Sequence, residues 1–197
     1  MTGALRPSAL LAIGALVITG PVMLIIGAVL LITQGSPIVF RQIRSGHNQT
    51  TFTIVKFRTM RDLRDTQGVA LPDAVRTTRV GRFLRRSRLD ELPELFNIFC
   101  GEMNFVGPRP LLPGTVAAMG DDGRLRGTVR PGLTGLAQVN GNTLLSTREK
   151  LDFDLRYVRE RSLGLDARII VRTLFVLING EKRSDHGDAA RNSDRSG

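Results

Sequence analysis

The sequence predicts an α+β protein: a mainly helical domain carrying a small β-hairpin, behind an apolar N-terminal segment. Three observations predict it. Residues 7–40 hold no charged side chain. Residues 38–43 and 51–60 have strand character and flank the turn-forming Ser45-Gly46-His47-Asn48, which is the pattern of a hairpin. Later stretches carry helix signals, and 197 residues suffice for one domain and an accessory segment.

As one helix the apolar segment would measure about 50 Å, against a hydrocarbon core about 30 Å thick. It is too long for a secretory signal peptide. Pro21 removes a backbone donor and clashes with the preceding turn. Two readings remain on the residues alone: a span kinked at Pro21, or a helix broken at Gly20-Pro21 that enters one leaflet and returns. Arg6 is the only charge before the segment, whereas Arg41, Arg44, Lys56, Arg58, Arg61 and Arg64 come after it. The positive-inside rule places the chain beyond residue 40 in the cytoplasm.

Residues 61–78 are polar, contain Gly68 and Pro72, and read as a loop with a short helix. A helix is expected to begin at Asp90 as N-cap, with Pro93 in its first turn. Leu92, Leu95, Phe96 and Phe99 recur along it at helical spacing, and Gly101 ends it. Gly107-Pro108-Arg109-Pro110 must be a rigid loop, and residues 130–141, with Pro131 and their glycines, form another. Thr147 is expected to cap a helix running to about Arg161. A last helix from near Asp166 carries Ile169, Ile170, Leu174, Leu177 and Ile178, with Arg168 and Arg172 beside them. Core packing is its plainer reading, and the alternative is a helix lying on the membrane surface. Residues 181–197 are polar and read as a disordered tail.

Net charge is +10, from 28 Lys and Arg against 18 Asp and Glu. That balance asks for an anionic partner: a phosphate-rich substrate, acidic lipid or nucleic acid. Aromatics at 5%, and no helix-turn-helix, zinc or RNA-binding signature, count against nucleic acid. The one cysteine, Cys100, cannot form an internal disulfide and reads as a buried small apolar side chain after Ile98 and Phe99. With it and the scattered His47 and His186, a zinc site is not expected.

Asp90-Glu91 follows Arg85, Arg86 and Arg88 at an expected helix start, where backbone donors favour carboxylates and phosphates. The plain reading is an N-cap and a first-turn charge. Two adjacent carboxylates also suit Mg²⁺, which takes carboxylate and phosphate oxygens, and one could attack phosphorus. Lys56 and Arg58 interrupt an apolar strand, and Arg109 stands between two prolines. An arginine so held offers its planar fork to a phosphate at little ordering cost.

Four stretches occur in order: Lys56-Phe57-Arg58-Thr59-Met60, Leu89-Asp90-Glu91-Leu92-Pro93, Val106-Gly107-Pro108-Arg109-Pro110, and Arg130-Pro131-Gly132-Leu133-Thr134-Gly135 through Gly141. As a set they resemble the bacterial sugar transferase family, the monotopic phosphoglycosyl transferases. The likeness is to the small, catalytic-domain-only members, such as the diacetylbacillosamine phosphate transferases. It runs from about Gly20 to Lys182. The resemblance implies transfer of a sugar 1-phosphate from a UDP-sugar to undecaprenyl phosphate, with release of UMP, by a ping-pong route through an aspartyl–phosphosugar. It implies Asp90 as nucleophile and Glu91 as the second acid, the two holding Mg²⁺. It implies Lys56, Arg58, Arg85 and Arg109 near the phosphates and Arg130 near the nucleotide. Asp154 and Asp166 match further acidic positions, and Pro21 matches the helix-breaking proline of a re-entrant membrane helix.

The expected architecture is then an N-terminal Pro-broken re-entrant helix over residues 1–40, a cytoplasmic catalytic domain with amphipathic interfacial helices over 41–180, and the tail. Such a protein would sit on the cytoplasmic face of the bacterial inner membrane, against membrane lipid, with downstream glycosyltransferases as partners. Family members usually have Ser before the proline and an Asp near the start of the membrane helix, where this chain has Gly20 and Ala9. The competing function is a membrane-anchored basic binding or scaffold protein without catalysis.

Overall fold

The computed structural model describes residues 6–179, so the expected tail lies outside the described residues. Helix α1 (Pro7–Gln34) is one unbroken helix with Pro21 inside it, not the two arms expected. Ala9, Ala12, Ile26, Gly27 and Leu30 are buried, at spacings that put them on one stripe. Ala12 packs with Phe52, Ile54, Leu95, Ile98 and Met103, and Ile26 and Leu30 pack with Phe57 and Leu84. Contacts on both sides of Pro21 outweigh the single hydrogen bond that proline removes. Much of the rest of the helix is exposed and apolar, including Val17, Ile18, Leu24, Ile25 and Ile32. By length and composition α1 could cross a membrane, yet both of its ends touch the same domain. The Arg6 guanidinium lies against Gly101, and Arg58 Nη2 donates to the carbonyls of Gln34 and Gly35 at 2.7 Å each.

The expected hairpin is present. Strands β1 (Val39–Ser45) and β2 (Thr51–Phe57) pair antiparallel, with Val39 opposite Phe57 and Ser45 opposite Thr51. The polar loop after β2 contains the short α2 (Asp73–Arg76). Next comes α3 (Arg79–Ser87), which sequence periodicity does not reveal because its only buried residues are Gly81 and Leu84. Thr78 caps it, Oγ1 accepting from Gly81 N at 2.9 Å. The expected helix at Asp90 begins later. Arg88, at φ 54°, ends α3, a 3-10 turn covers Leu89–Glu91, and α4 runs over Glu94–Phe99. Asp90 is therefore not an N-cap. Leu95 and Ile98 face inward, whereas Phe96, Phe99 and Cys100 are exposed. The burial expected for Cys100 fails because it follows the last turn, where Gly101 at φ 76° redirects the chain.

Two short strands, β3 (Asn104–Val106) and β4 (Gly132–Thr134), pair in parallel. Between them lie α5 (Pro113–Ala117) and α6 (Gly120–Arg126). This joint admits no side chains at its centre. A Cβ on Gly132 would overlap Gly107 N, and one on Gly135 would overlap Gly107 O. Helix α7 (Leu136–Val139) leads to α8 (Thr147–Glu160), whose cap is Ser146 rather than Thr147, in a capping box with Glu149. Helix α9 (Leu163–Asn179) overturns the core reading. Ile169 is its buried residue, while Ile170, Val171, Leu174, Phe175 and Ile178 are exposed. One face meets Val106, Leu136, Val139 and Tyr157, and nothing among the described residues covers the other.

Gly132→Ala should lower the apparent melting temperature of the detergent-solubilised protein, by an overpacking cost of about 2–3 kcal/mol. Gly164→Ala, with open space around its Cβ, is the matched control. Equal effects of the two would show that the joint is not as tight as described.

Candidate active site

Lys56 reaches the site through strand alternation. It shares a face of β2 with Phe52 and Ile54, so it points inward, to α4 and the 3-10 turn. Its Nζ lies 2.9 Å from Glu91 Oε1 and 2.9 Å from Glu94 Oε1. Phe57 enters the core and Arg58 binds the end of α1. Thr59 and Met60 hold Arg85, whose Nε donates to Thr59 Oγ1 at 2.9 Å and whose Nη2 lies 2.9 Å from Met60 Sδ. Gly81 lets α3 approach that segment, since a Cβ there would overlap the Thr59 carbonyl.

Glu91 is the centre. Its Oε1 accepts from Lys56 Nζ at 2.9 Å and Arg109 Nη2 at 2.6 Å, and Arg88 Nη1 stands 3.7 Å from Oε2. Burial works against its charge, but Arg109, then Lys56 and Arg88, outweigh that and hold the carboxyl at about 2. Glu94, not among the expected site residues, is 2% exposed. Burial pushes its carboxyl up to about 7, with the Glu91 charge adding to the rise and Lys56 opposing it. Glu94 Oε1 stands as close to the Lys56 ammonium as Glu91 does, but Lys56 only partly offsets the burial that raises it. Asn97, one turn on, ties α4 to β2 by accepting from Val55 N at 3.2 Å and donating to Thr53 O at 2.8 Å. The signal for both residues was a polar stripe, Glu91, Glu94 and Asn97, inside an otherwise apolar helix.

Asp90 takes no part in these ion pairs. Burial, then the Glu91 charge, pushes its carboxyl above the usual range, while Lys56 and Arg85 pull it down. It lines a cavity of about 1030 Å³ together with Glu91, Lys56, Arg58, Arg85 and Arg109. Eight Lys and Arg line this cavity against four Asp and Glu, an excess that suits a diphosphate.

The remaining expected site residues do not reach it. Arg130 lines a separate cleft with His47 and Glu102, its Nε donating to Gly101 O at 2.9 Å. Asp154 is buried against Arg126, Nε to Oδ2 at 2.8 Å, and Arg126 Nη2 donates to the Arg109 carbonyl. Asp166 accepts from Tyr157 Oη at 2.8 Å, and Tyr157 Oη also reaches Val106 O at 3.3 Å. These two acids fasten the loop and helix behind the site.

A family model described as bacterial sugar transferase matches residues 8–180. The chain belongs to the bacterial sugar transferase family. Within that family it is 40% identical over 182 residues to the sugar transferase EpsL of Bacillus subtilis (strain 168), covering 91% of this chain and 90% of that one. It is 35% identical over 199 residues to the exopolysaccharide production protein ExoY of Sinorhizobium fredii (strain NBRC 101917 / NGR234), covering 88% of each. It is 37% identical over 178 residues to the UDP-glucose:undecaprenyl-phosphate glucose-1-phosphate transferase of Klebsiella pneumoniae. That alignment covers 81% of this chain but 37% of the longer relative.

Two outcomes are expected for the acids of this bacterial sugar transferase. A carboxyl raised from the usual 4.5 to about 7 in the fold stabilises it below 4.5, and that contribution is lost as pH rises through 7. Glu94→Gln should therefore make the melting temperature less sensitive to pH between 4.5 and about 7, and a steeper dependence would contradict the assignment. Arg126→Ala leaves Asp154 buried without its cation and should cost ~3–5 kcal/mol. A thermal melt matching the native protein would rule out that role.

Proposed function

We propose that the chain is a polyprenyl-phosphate phosphoglycosyl transferase, moving a sugar 1-phosphate from a UDP-sugar to undecaprenyl phosphate and releasing UMP. The observation that carries this reading is one cavity in which Asp90, outside the ion pairs described above, stands beside a charged Glu91 and a surplus of cations. Asp90 attacks the β-phosphorus of the donor. The bond from that phosphorus to the bridging oxygen breaks, and UMP leaves with the oxygen. The acceptor phosphate then attacks the same phosphorus and Asp90 departs as a carboxylate. A raised pKa makes Asp90 a more basic attacking group than an ordinary aspartate. Lys56, Arg85 and Arg109 offset the charge on the phosphates.

The residues fit Mg²⁺. Adjacent acids on one short turn face the cavity, and the Arg88 guanidinium stands farther from Glu91 Oε2 than Lys56 and Arg109 stand from Oε1. Magnesium needs one or two carboxylates and completes its shell with phosphate oxygens and water. Glu91, with Asp90 beside it, would hold the ion, which when bound supplies positive charge to the diphosphate.

The same reading places the protein in the bacterial inner membrane with the domain on the cytoplasmic face. Both ends of α1 contact one domain, which supports a helix held along the same membrane face as that domain. The exposed apolar face of α9 supports contact with lipid. The name of the longer Klebsiella relative makes UDP-glucose the first donor to assay.

With undecaprenyl phosphate, a UDP-sugar and Mg²⁺, the purified chain should release UMP, and a chelator should stop it. Asp90→Asn should lower the rate at least about a thousandfold with an unchanged circular-dichroism spectrum. Near-native turnover by that variant would remove Asp90 as nucleophile. Binding of UDP-sugar with no UMP release by the native chain would favour the scaffold reading.

A further inference from the structure

The transfer reading leaves open where the second substrate puts its phosphate. Strand alternation sets Phe40, Gln42 and Arg44 on one face of β1, and all three line the cavity. The strip spans about 14 Å at ~3.4 Å per residue. It runs from an apolar ring, 43% exposed, through an amide to a guanidinium. Across the cavity, Val176 and Leu177 of α9 continue the apolar wall toward that helix's exposed outer face.

Arg44 is held but not neutralised. Its Nη2 donates to Gln42 Oε1 at 2.5 Å and its Nη1 to Pro110 O at 3.4 Å. Its Nε is buried without a partner, and it forms no ion pair among the described residues. Burial, then the charge of Arg109, loosens its hold on its proton, with Glu94 opposing. A guanidinium that lines the cavity with no ion pair of its own, beside an Arg109 already paired with Glu91, suits an anion that arrives from outside. The occupant has to be anionic at one end and apolar along its length. A UDP-sugar lacks the apolar chain, and a polyprenyl phosphate has both.

We propose that Phe40, Gln42 and Arg44 of β1, facing Val176 and Leu177 of α9, form the acceptor subsite, with the lipid phosphate on Arg44 and its first isoprene units along Phe40. This rests on the transfer reading above. The acceptor phosphate enters as a dianion, so its oxygen forms the new bond to phosphorus as the Asp90 oxygen leaves, with no proton moved in that step.

The test uses the full chain in detergent micelles. Arg44→Gln should raise KM for undecaprenyl phosphate about tenfold or more, while KM for the UDP-sugar moves less than about threefold. Arg44→Lys should recover part of the loss. Phe40→Ala, at an exposed ring, should weaken use of undecaprenyl phosphate and of geranyl phosphate, which carries the first two isoprene units, and leave KM for the UDP-sugar unchanged. A rise confined to the donor KM would assign Arg44 to the nucleotide and overturn the proposal, as would equal changes in both KM values or no change. Binding of undecaprenyl phosphate is measured separately by native mass spectrometry. Native chain binding it no better than Arg44→Gln overturns the subsite even if UMP release is never seen, whereas absence of release with the binding difference intact overturns only the transfer reading.

Discussion

The site is organised around one buried negative charge. Glu91 is 6% exposed, and an ionised carboxylate at that depth costs several kcal/mol unless it is paired. Its partners come from three separate stretches: Lys56 from β2, Arg88 from the turn after α3, and Arg109 from the loop between two prolines. Satisfying one carboxylate therefore fixes the relative positions of a strand, a turn and a loop. Asp90, its neighbour in sequence, is carried along and left facing the cavity. The two adjacent acids behave differently for a physical reason: one is surrounded by cations and the other is exposed to Glu91's field as well as to burial.

That arrangement needs a backbone able to bring the loop so close. Gly107, Gly132 and Gly135 give the β3–β4 joint its tightness, and Gly81 does the same between α3 and Thr59. Behind the loop, Asp154 holds Arg126, whose Nη2 donates to the Arg109 carbonyl. The guanidinium of Arg109 is thus aimed by its own backbone, which is held from the side away from substrate. Small residues and buried ion pairs here serve positioning more than net stability, in keeping with the modest net worth of buried pairs against apolar packing.

Local patterns were readable in the sequence and long-range pairings were not. The hairpin, the α8 cap region and the rigidity of the Gly-Pro-Arg-Pro loop came from turn chemistry and periodicity. The association of Lys56, Arg85 and Arg109 with the acid pair was also legible, but through the family resemblance rather than from spacing. Arg58 shows why residue type is insufficient: it lines the cavity, yet its Nη2 donates to the end of α1. Arg130, Asp154 and Asp166 have the right chemistry for a site but lie outside this cavity, because their partners, Gly101, Arg126 and Tyr157, are set by long-range packing. Glu94 escapes notice since a first-turn glutamate is commonplace, and only the packed fold buries it. The last helix misleads for the opposite reason. Its apolar residues look like core, but the domain offers it only enough surface to cover Ile169.

The same uncovered surface gives the chemistry its geometry. Moving a sugar phosphate from a water-soluble donor to a phosphate fixed to a lipid calls for a reacting phosphorus placed where an aqueous cationic cleft meets an apolar boundary. In this chain the boundary is built from elements that the domain packs on one side only: α1, α9 and the outer rings of α4. Arg6 lies against Gly101 at one end of α1 and Arg58 donates to its last carbonyls at the other, so the helix and the cavity are held in one relative position. The long apolar helix is then part of the catalytic scaffold as well as an anchor. Its buried stripe packs in one cluster with Phe57 and Leu84, beside Lys56 and Arg85, and with Leu89 and Leu92, which flank Asp90 and Glu91, so a shift of α1 would reach the cations and the acids alike.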